Sequence, residues 1–289
     1  MPELPEVETV RRGLEPVMAG ARLVHVEQRR ANLRFDFPPD FVSRLEGRTI
    51  TALDRRAKYL LVALDSGERL MIHLGMSGRM TIHPPDTHEA SEIGDFHHRQ
   101  AYYAKHDHVV FHLSNHHHVI YNDPRRFGFM LMIGKGELAS HPLLADLGPE
   151  PLGNSFDAGK LAEALSGSAA PLKSALLDQK KIAGLGNIYV CEALHRAGLS
   201  PFRPAGTLDL LQCEQLAASI RTVLQEAVAA GGSTLKDYAK ADGSLGYFQH
   251  AFRVYDQTGQ NCPTKGCKGT IERQVQAGRS SFFCAACQN

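Results

Sequence analysis

The sequence predicts an α+β protein: one helix, a strand-rich half, then a helical half that closes on a cysteine-bearing hairpin. Three observations carry this prediction. Val7, Val10 and Leu14 recur at helical spacing behind a start rich in proline and acids (Pro2, Glu3, Glu6), which suits a first helical turn whose N–H groups lack partners. Residues 48–133 hold short β-rich runs separated by turn signals. Beyond the Pro- and Gly-rich stretch 141–155 the apolar period becomes helical, and four of the six cysteines fall in the last 28 residues.

In chain order, residues 48–64 and 69–82 flank Asp65-Ser66-Gly67 and read as the two arms of a hairpin. Strands are expected at 108–114 and 117–122, joined at Asn115, and at 127–133. Residues 141–155 (HPLLADLGPEPLGNS) read as a linker. Leu216, Ile220, Val223 and Ala227 mark one face of a long helix within 209–230, which Gly231-Gly232 should end. The polar, glycine-containing stretch 231–250 reads as a loop. Glu8 reads as a first-turn helix charge, and Cys191 and Cys213 as small buried hydrophobes inside helices.

The chain of 289 residues is long enough for about two domains. No run of eighteen apolar residues suggests a membrane span. No export signal is evident, so a reducing, cytoplasmic compartment is expected. Net charge is +1 and names no partner by itself. The tail 253–289 is locally basic, with Arg253, Lys265, Lys268, Arg273 and Arg279 against Asp256 and Glu272. It fits an anion-facing patch or an ordinary solvated surface.

Cys262, Cys267, Cys284 and Cys287 form C-x4-C-x16-C-x2-C. Four thiolates in two close pairs on a short hairpin suit one tetrahedral Zn2+; two disulfides are the alternative, disfavoured by a reducing compartment. With all four positions taken by cysteine, the metal would fold the hairpin and leave no open site for chemistry. Arg273 and Arg279 lie between the pairs and suit phosphate contact. Ten of the fifteen histidines lie within 83–118. A metal site and a histidine-rich exposed insertion are both open readings there. His106 and His108 would point the same way on a strand, but spacing fixes no third ligand.

Several islands, in matching order, cover nearly the whole chain: PELPEVETVRRGLEP, RRAKYLL, IHLGMSGR, KHDHV, NDPRRFG, LLDQKKIAGLGNIYVCEAL, GGSTLKDY, GYFQHAFRVYDQTGQ and GRSSFFCAACQ. Together they resemble the bacterial formamidopyrimidine-DNA glycosylase family. The resemblance implies an N-terminal β-sandwich carrying the N-terminal helix (1–134) and a linker (135–155). It implies a helical domain with a helix–two-turn–helix element (156–252) and a zinc finger with one structural Zn2+ (253–289). It further implies that duplex DNA lies in the cleft between the domains, and that the enzyme excises oxidised purines and nicks the strand at the abasic site. A monomer is expected by default, because one cleft on one chain suffices.

The resemblance also assigns roles. Pro2, once Met1 is removed, is the amine that forms a Schiff base with C1′ of the sugar. Glu3 donates a proton as the sugar ring opens, and Glu6 helps to position the site or its water. Lys58, expected on a strand, donates a proton in β-elimination and contacts a phosphate. Arg279 grips the phosphate beside the lesion. His73 and Asn187 match phosphate-binding positions, with Gly184 and Gly186 allowing close backbone approach to DNA. Met76, Arg125 and Phe127 fill the gap left by the extruded base, and His106 matches another DNA contact. The 231–248 loop covers the extruded base.

Three features depart from the family pattern. The first cysteine pair is C-x4-C, where C-x2-C is usual. Residues 83–105 make a longer loop. Ser168 stands about where a basic DNA contact often precedes the lysine found here as Lys173. The related branch acting on oxidised pyrimidines usually begins PEGPE, so Leu4 and the DPRRFG block favour purines. A non-catalytic reader of damaged duplex is the alternative from another class; it could dispense with Pro2, Glu3 or Lys58, and all three are present.

Overall fold

The computed structural model describes residues 2–85, 104–233 and 246–289. Helix α1 (Leu4–Met18) opens the chain and strand β1 (Leu23–Gln28) follows; a short helix α2 (Phe41–Leu45) precedes β2 (Ile50–Arg56). Next come β3 (Tyr59–Leu64), β4 (Arg69–His73), β5 (Arg79–His83), β6 (Asp107–Leu113), β7 (His118–Asn122) and β8 (Phe129–Ile133). Helices α3 (Ala158–Leu165), α4 (Leu172–Leu177), α5 (Asn187–Arg196) and α6 (Leu210–Ala229) follow, then the hairpin of β9 (Ile271–Gln276) and β10 (Arg279–Cys284).

Chain contacts define two units. The first holds the described residues of Met1–Pro2, Glu6–Ala145 and Gly231–Gly246; the second holds Glu3–Pro5, Asp146–Ala230 and Tyr247–Asn289. In the first unit two four-stranded antiparallel sheets, ordered β1-β6-β7-β5 and β2-β3-β4-β8, share one core. Val26, Phe111, Val119 and Met80 enter it from one sheet, and Leu53, Val62, Ile72 and Met130 from the other, as expected of a sandwich with alternating inward positions. Helix α1 joins that core through Val7, Val10, Leu14 and Met18, none more than 1% exposed. Burying each contributes about 1.5–3 kcal/mol.

Two strand readings need correction. Residues 48–64 are not one arm but two strands, because the chain reverses at Ala57-Lys58. Ala57 takes a left-handed φ of 53°, a turn conformation that alanine gives no reason to expect. The 69–82 arm is also divided: β4 lies in one sheet and β5 in the other, so residues 74–78 cross between the layers. The hairpin through 65–67 does form, joining β3 to β4.

The second unit packs α3, α4, α5 and α6 around Leu161, Leu176, Val190, Leu216 and Ile220. Asp209 and Gln212 close a capping box at the start of α6. Gly231 and Gly232, at φ 77° and 79°, end it. A smaller cluster of Cys191, Val254, Ile271 and Phe282 underlies the β9–β10 hairpin. Cys191 and Cys213 are buried in helices, as read from the sequence. Among the described residues, no helix is long and apolar enough to cross a membrane.

Candidate functional site

In the first unit, Pro2 is buried and lies two residues before the start of α1. Glu8 is not a first-turn charge. It is 9% exposed and pairs with Arg11, Arg12 and Arg55 at 3.1, 2.7 and 3.2 Å. Burial raises its pKa, but the hydrogen bonds from Arg11 and Arg12 and the charges of Arg11 and Arg55 outweigh this and leave it lowered. Arg55 also donates to the Ala57 carbonyl at 2.9 Å. Helix α1 is thereby tied to the turn that carries Lys58. Lys58 sits in that turn, not on a strand, and is 8% exposed.

His73 lies opposite Tyr59 on the neighbouring strand and stacks on Phe129, with ring centroids 5.1 Å apart. Burial, then the charges of Lys58 and Arg34, lower its pKa to about 4. The ring is therefore neutral at pH 7. Its Nδ1 accepts from the Gly75 N–H at 3.1 Å, so Nε2 carries the proton and can donate to an anion.

The loops bearing Met76, His106, Arg125 and Phe127 meet at one buried carboxylate, Asp123, which is 0% exposed. Its Oδ1 accepts from Ser77 Oγ at 2.5 Å, and its Oδ2 from the Gly128 N–H at 2.9 Å and Tyr121 OH at 3.2 Å. Its own N–H donates to the His106 carbonyl at 3.0 Å, and Ser77 Oγ accepts from the Arg125 N–H at 3.1 Å. With their backbones pinned, Met76 and Phe127 are left 37% and 43% exposed, and the Arg125 guanidinium lies 4.7 Å from the Phe127 ring centre. Gly75, at φ 65°, has no room for a Cβ against the backbone of Phe127 and Gly128. His106 closes a short 3-10 turn before β6, so it does not share a strand with His108. His108 instead turns Nε2 to the Asp123 carbonyl at 2.8 Å. The sequence shows Asp123 within NDPRRFG but gives it no role, because its partners lie up to 46 residues away.

Glu6 is 2% exposed. Its Oε1 accepts from both the N–H and the hydroxyl of Ser233, at 2.9 and 3.0 Å, which anchors the chain just before residue 234. The histidine-rich insertion lies outside the described residues from 86 to 103, and the loop read as covering the base lies outside them from 234 to 245.

In the second unit, Glu3 is 3% exposed and its Oε1 accepts from the Ile188 N–H at 3.1 Å. Its carboxylate thus caps the start of α5, where the helix dipole favours negative charge. A Cβ on Gly186 would collide with that carboxyl group, and one on Gly184 with Leu4 at 2.7 Å. These two glycines make room for Leu4 and Glu3, a packing role that the sequence reading, which gave them close approach to DNA, did not include. Asn187 donates from Nδ2 to the Ser280 carbonyl at 3.0 Å. Lys173, 1% exposed, donates to the same carbonyl and to Ser281 Oγ, both at 2.8 Å. Asn187 and Lys173 therefore fix the strand that begins with exposed Arg279, just past the Ala277-Gly278 turn.

The four cysteines of the hairpin are free thiols whose sulfurs all lie within 4.8 Å of one another. Cys262 and Cys287 are 3.6 Å apart, and Cys267 and Cys284 are 3.7 Å apart. A tetrahedral ion with Zn–S of about 2.3 Å requires sulfur separations of about 3.8 Å, so the set fits Zn2+. The longer C-x4-C knuckle brings in Thr264, whose Oγ1 lies 3.3 Å from His195 Nε2, and that nitrogen lies 3.4 Å from Cys262 Sγ. A further anchor that sequence reading missed is Glu192 of α5. It is 0% exposed and accepts from the consecutive N–H groups of Arg253, Val254 and Tyr255 at 2.9–3.1 Å.

Comparison with known proteins agrees with this architecture. Residues 1–130 match the formamidopyrimidine-DNA glycosylase N-terminal domain, and residues 147–239 match the formamidopyrimidine-DNA glycosylase H2TH domain. Formamidopyrimidine-DNA glycosylases of Chelativorans sp. (strain BNC1) and of Rhizobium leguminosarum bv. trifolii are each 59% identical to this chain, with full coverage of both chains. The crystal structure of MutM (Fpg) from Thermus thermophilus superposes with a TM-score of 0.84 at 41% identity, over 99% of this chain and 98% of that one. The Lactococcus lactis Fpg in complex with DNA containing an abasic site superposes with a TM-score of 0.85 at 34% identity, over the full length of both. With both domains matched in order and full-length relatives at this identity, the chain belongs to the formamidopyrimidine-DNA glycosylase family.

Proposed function

We propose that this protein is a base-excision-repair glycosylase that removes oxidised purines from duplex DNA and then cleaves the strand. The observation that supports this most is at the start of the chain. Pro2 is followed directly by a carboxylate, Glu3, that is buried and held on the first turn of α5. An arbitrary helix start gives no reason to bury an acid there.

Removal of Met1, which a small second residue permits, exposes the secondary amine of Pro2. An α-amine with a pKa of about 8 is a few to tens of per cent free base near neutral pH, against roughly 0.1% or less for a lysine. The amine attacks C1′ and the base leaves with the glycosidic electron pair, while Glu3 supplies a proton as the sugar ring opens. The resulting iminium keeps its positive charge without an added proton. It acidifies C2′–H, whose loss expels the 3′-phosphate; a second elimination expels the 5′-phosphate, and water then frees the enzyme. Lys58, in its turn tied to α1 through Arg55 and Glu8, serves as proton donor in the first elimination. Arg279 holds the phosphate at the lesion.

The target base must leave the stack, at a cost of a few kcal/mol. Exposed Met76 and Phe127 are suited to wedge the duplex, and Arg125 to hydrogen-bond the orphaned partner base. His73, as a neutral donor, with His106 and Asn187, contacts phosphates. Zn2+ on Cys262, Cys267, Cys284 and Cys287 supplies folding energy to the hairpin that carries Arg279. One chain suffices, and the DNA lesion is its partner.

Borohydride trapping tests the reading. With a duplex carrying 8-oxoguanine opposite cytosine, a reduced covalent adduct should form, map to Pro2 and vanish when the N-terminus is blocked. An adduct only with abasic duplex would keep the amine chemistry and overturn the purine assignment. Tight binding with no adduct on either duplex would replace the enzyme by a non-catalytic reader.

A further inference from the structure

The sheet β1-β6-β7-β5 carries a line of histidines. His25 of β1 pairs with His112 of β6, His112 with His118 of β7, and His118 with His83 of β5. Each of the four strands gives one histidine to a single cross-strand row, and residues directly opposite share a face. Their strand neighbours Val26, Phe111 and Val119 point into the core, so the row lies on the outer face. Ring centroids are 5.4 Å apart for His25 and His112, and 4.4 Å apart for His112 and His118.

Two carboxylates back the row. Glu27 Oε1 lies 2.6 Å from His112 Nε2, and Glu46 Oε1 lies 2.7 Å from His25 Nδ1. Both acids are themselves oriented: Arg29 donates to Glu27 at 2.8 and 3.0 Å, and the Val26 N–H donates to Glu46 at 2.9 Å. A carboxylate behind an imidazole fixes its tautomer and raises the basicity of the other nitrogen, as is found behind metal-bound histidines.

The geometry points to a second metal site, separate from the cysteines: a divalent transition ion held by Nδ1 of His112 and a ring nitrogen of His118, with water in the remaining positions. Two imidazoles on one ion at M–N distances of about 2.0–2.1 Å keep their ring centroids on the order of 4.4–5.3 Å apart, depending on whether the ion is octahedral or tetrahedral. The His112–His118 spacing falls at the lower end of that range, the value expected for neighbouring positions of an octahedral ion. Among the described residues, the four cysteines are the one set of three or more ligands already converged. The histidine row is accordingly a two-imidazole site of exchangeable character. Imidazole selects Cu2+, Ni2+ and Zn2+ over Mg2+ and Ca2+.

The test uses the full-length chain without an affinity tag and with its cysteines loaded with zinc. Zinc is titrated in, and retained metal is counted after equilibrium dialysis. One further equivalent should bind, with Cu2+ competing more strongly than Zn2+ and Mg2+ not competing. His112→Ala and His118→Ala should each weaken it at least tenfold, Glu27→Gln roughly tenfold, and His250→Ala not at all. Unchanged far-ultraviolet circular dichroism would show that the variants fold. A stoichiometry that stays at one zinc per chain overturns the proposal. So does a second equivalent that persists in both His112→Ala and His118→Ala, which would assign it to other histidines, such as those of 86–103.

Discussion

Each unit carries exposed residues proposed to meet DNA, but the two hold them in different ways. In the β-sandwich, Met76, Arg125 and Phe127 ride on loops pinned by hydrogen bonds to a single buried carboxylate, Asp123. In the hairpin, Arg279 rides on a strand pinned by four thiols poised for a metal and by the buried ammonium of Lys173. The sandwich already has a large apolar core, so its loops need only local polar ties. The β9–β10 hairpin has a six-residue cluster beneath it, too small by itself to hold a two-stranded ribbon, and its four cysteines lie close enough to bind a metal that would add the missing stability.

Metal removal tests this contrast with the largest effect. Stripping zinc with a strong chelator should unfold residues 253–289, since structural zinc supplies on the order of 10 kcal/mol or more. Hydrogen exchange should show loss of protection in β9 and β10 with β1–β8 unchanged. Equal loss in both regions would refute the division of labour.

Asp123→Ala is the matching lesion in the sandwich. It leaves Ser77, Tyr121 and the Gly128 N–H without their acceptor, and should cost about 3–5 kcal/mol by denaturant melt. If Asp123 acts mainly as the node of the loops, Ser77→Ala should be non-additive with it.

His73 gives a pH signature. Its folded pKa of about 4 lies below its ordinary 6.5, so between these values the unfolded chain binds the extra proton. The stability from this group is therefore full above about pH 6.5 and declines as pH falls toward 4, by about 3 kcal/mol. His73→Gln should flatten that part of the stability curve. A curve unchanged by the substitution would show that the ring is not held neutral.

The smallest effect belongs to Lys173→Met. Asn187 still satisfies the Ser280 carbonyl, so the melt should shift by only about 1 kcal/mol. Exchange of the β10 amides near Arg279 should nevertheless quicken. No change there would mean that the metal alone orders the strand.

What the sequence determined by itself is what short range dictates. The amphipathic periods of α1 and α6, the Gly231-Gly232 stop, the turn at 65–67 and the spacing of four cysteines each depend on neighbours a few residues away. Each is present in the structure. Tertiary structure alone decided where long-range partners meet. It placed Lys58 in a turn instead of a strand and gave Gly184 and Gly186 to the side chains of Leu4 and Glu3. It made Asp123 the node of three loops, and it aligned one histidine from each of four strands. A buried polar group must find its partner wherever the fold brings one. That partner can lie 185 residues away, as Ile188 does from Glu3, and no local pattern encodes such a pairing.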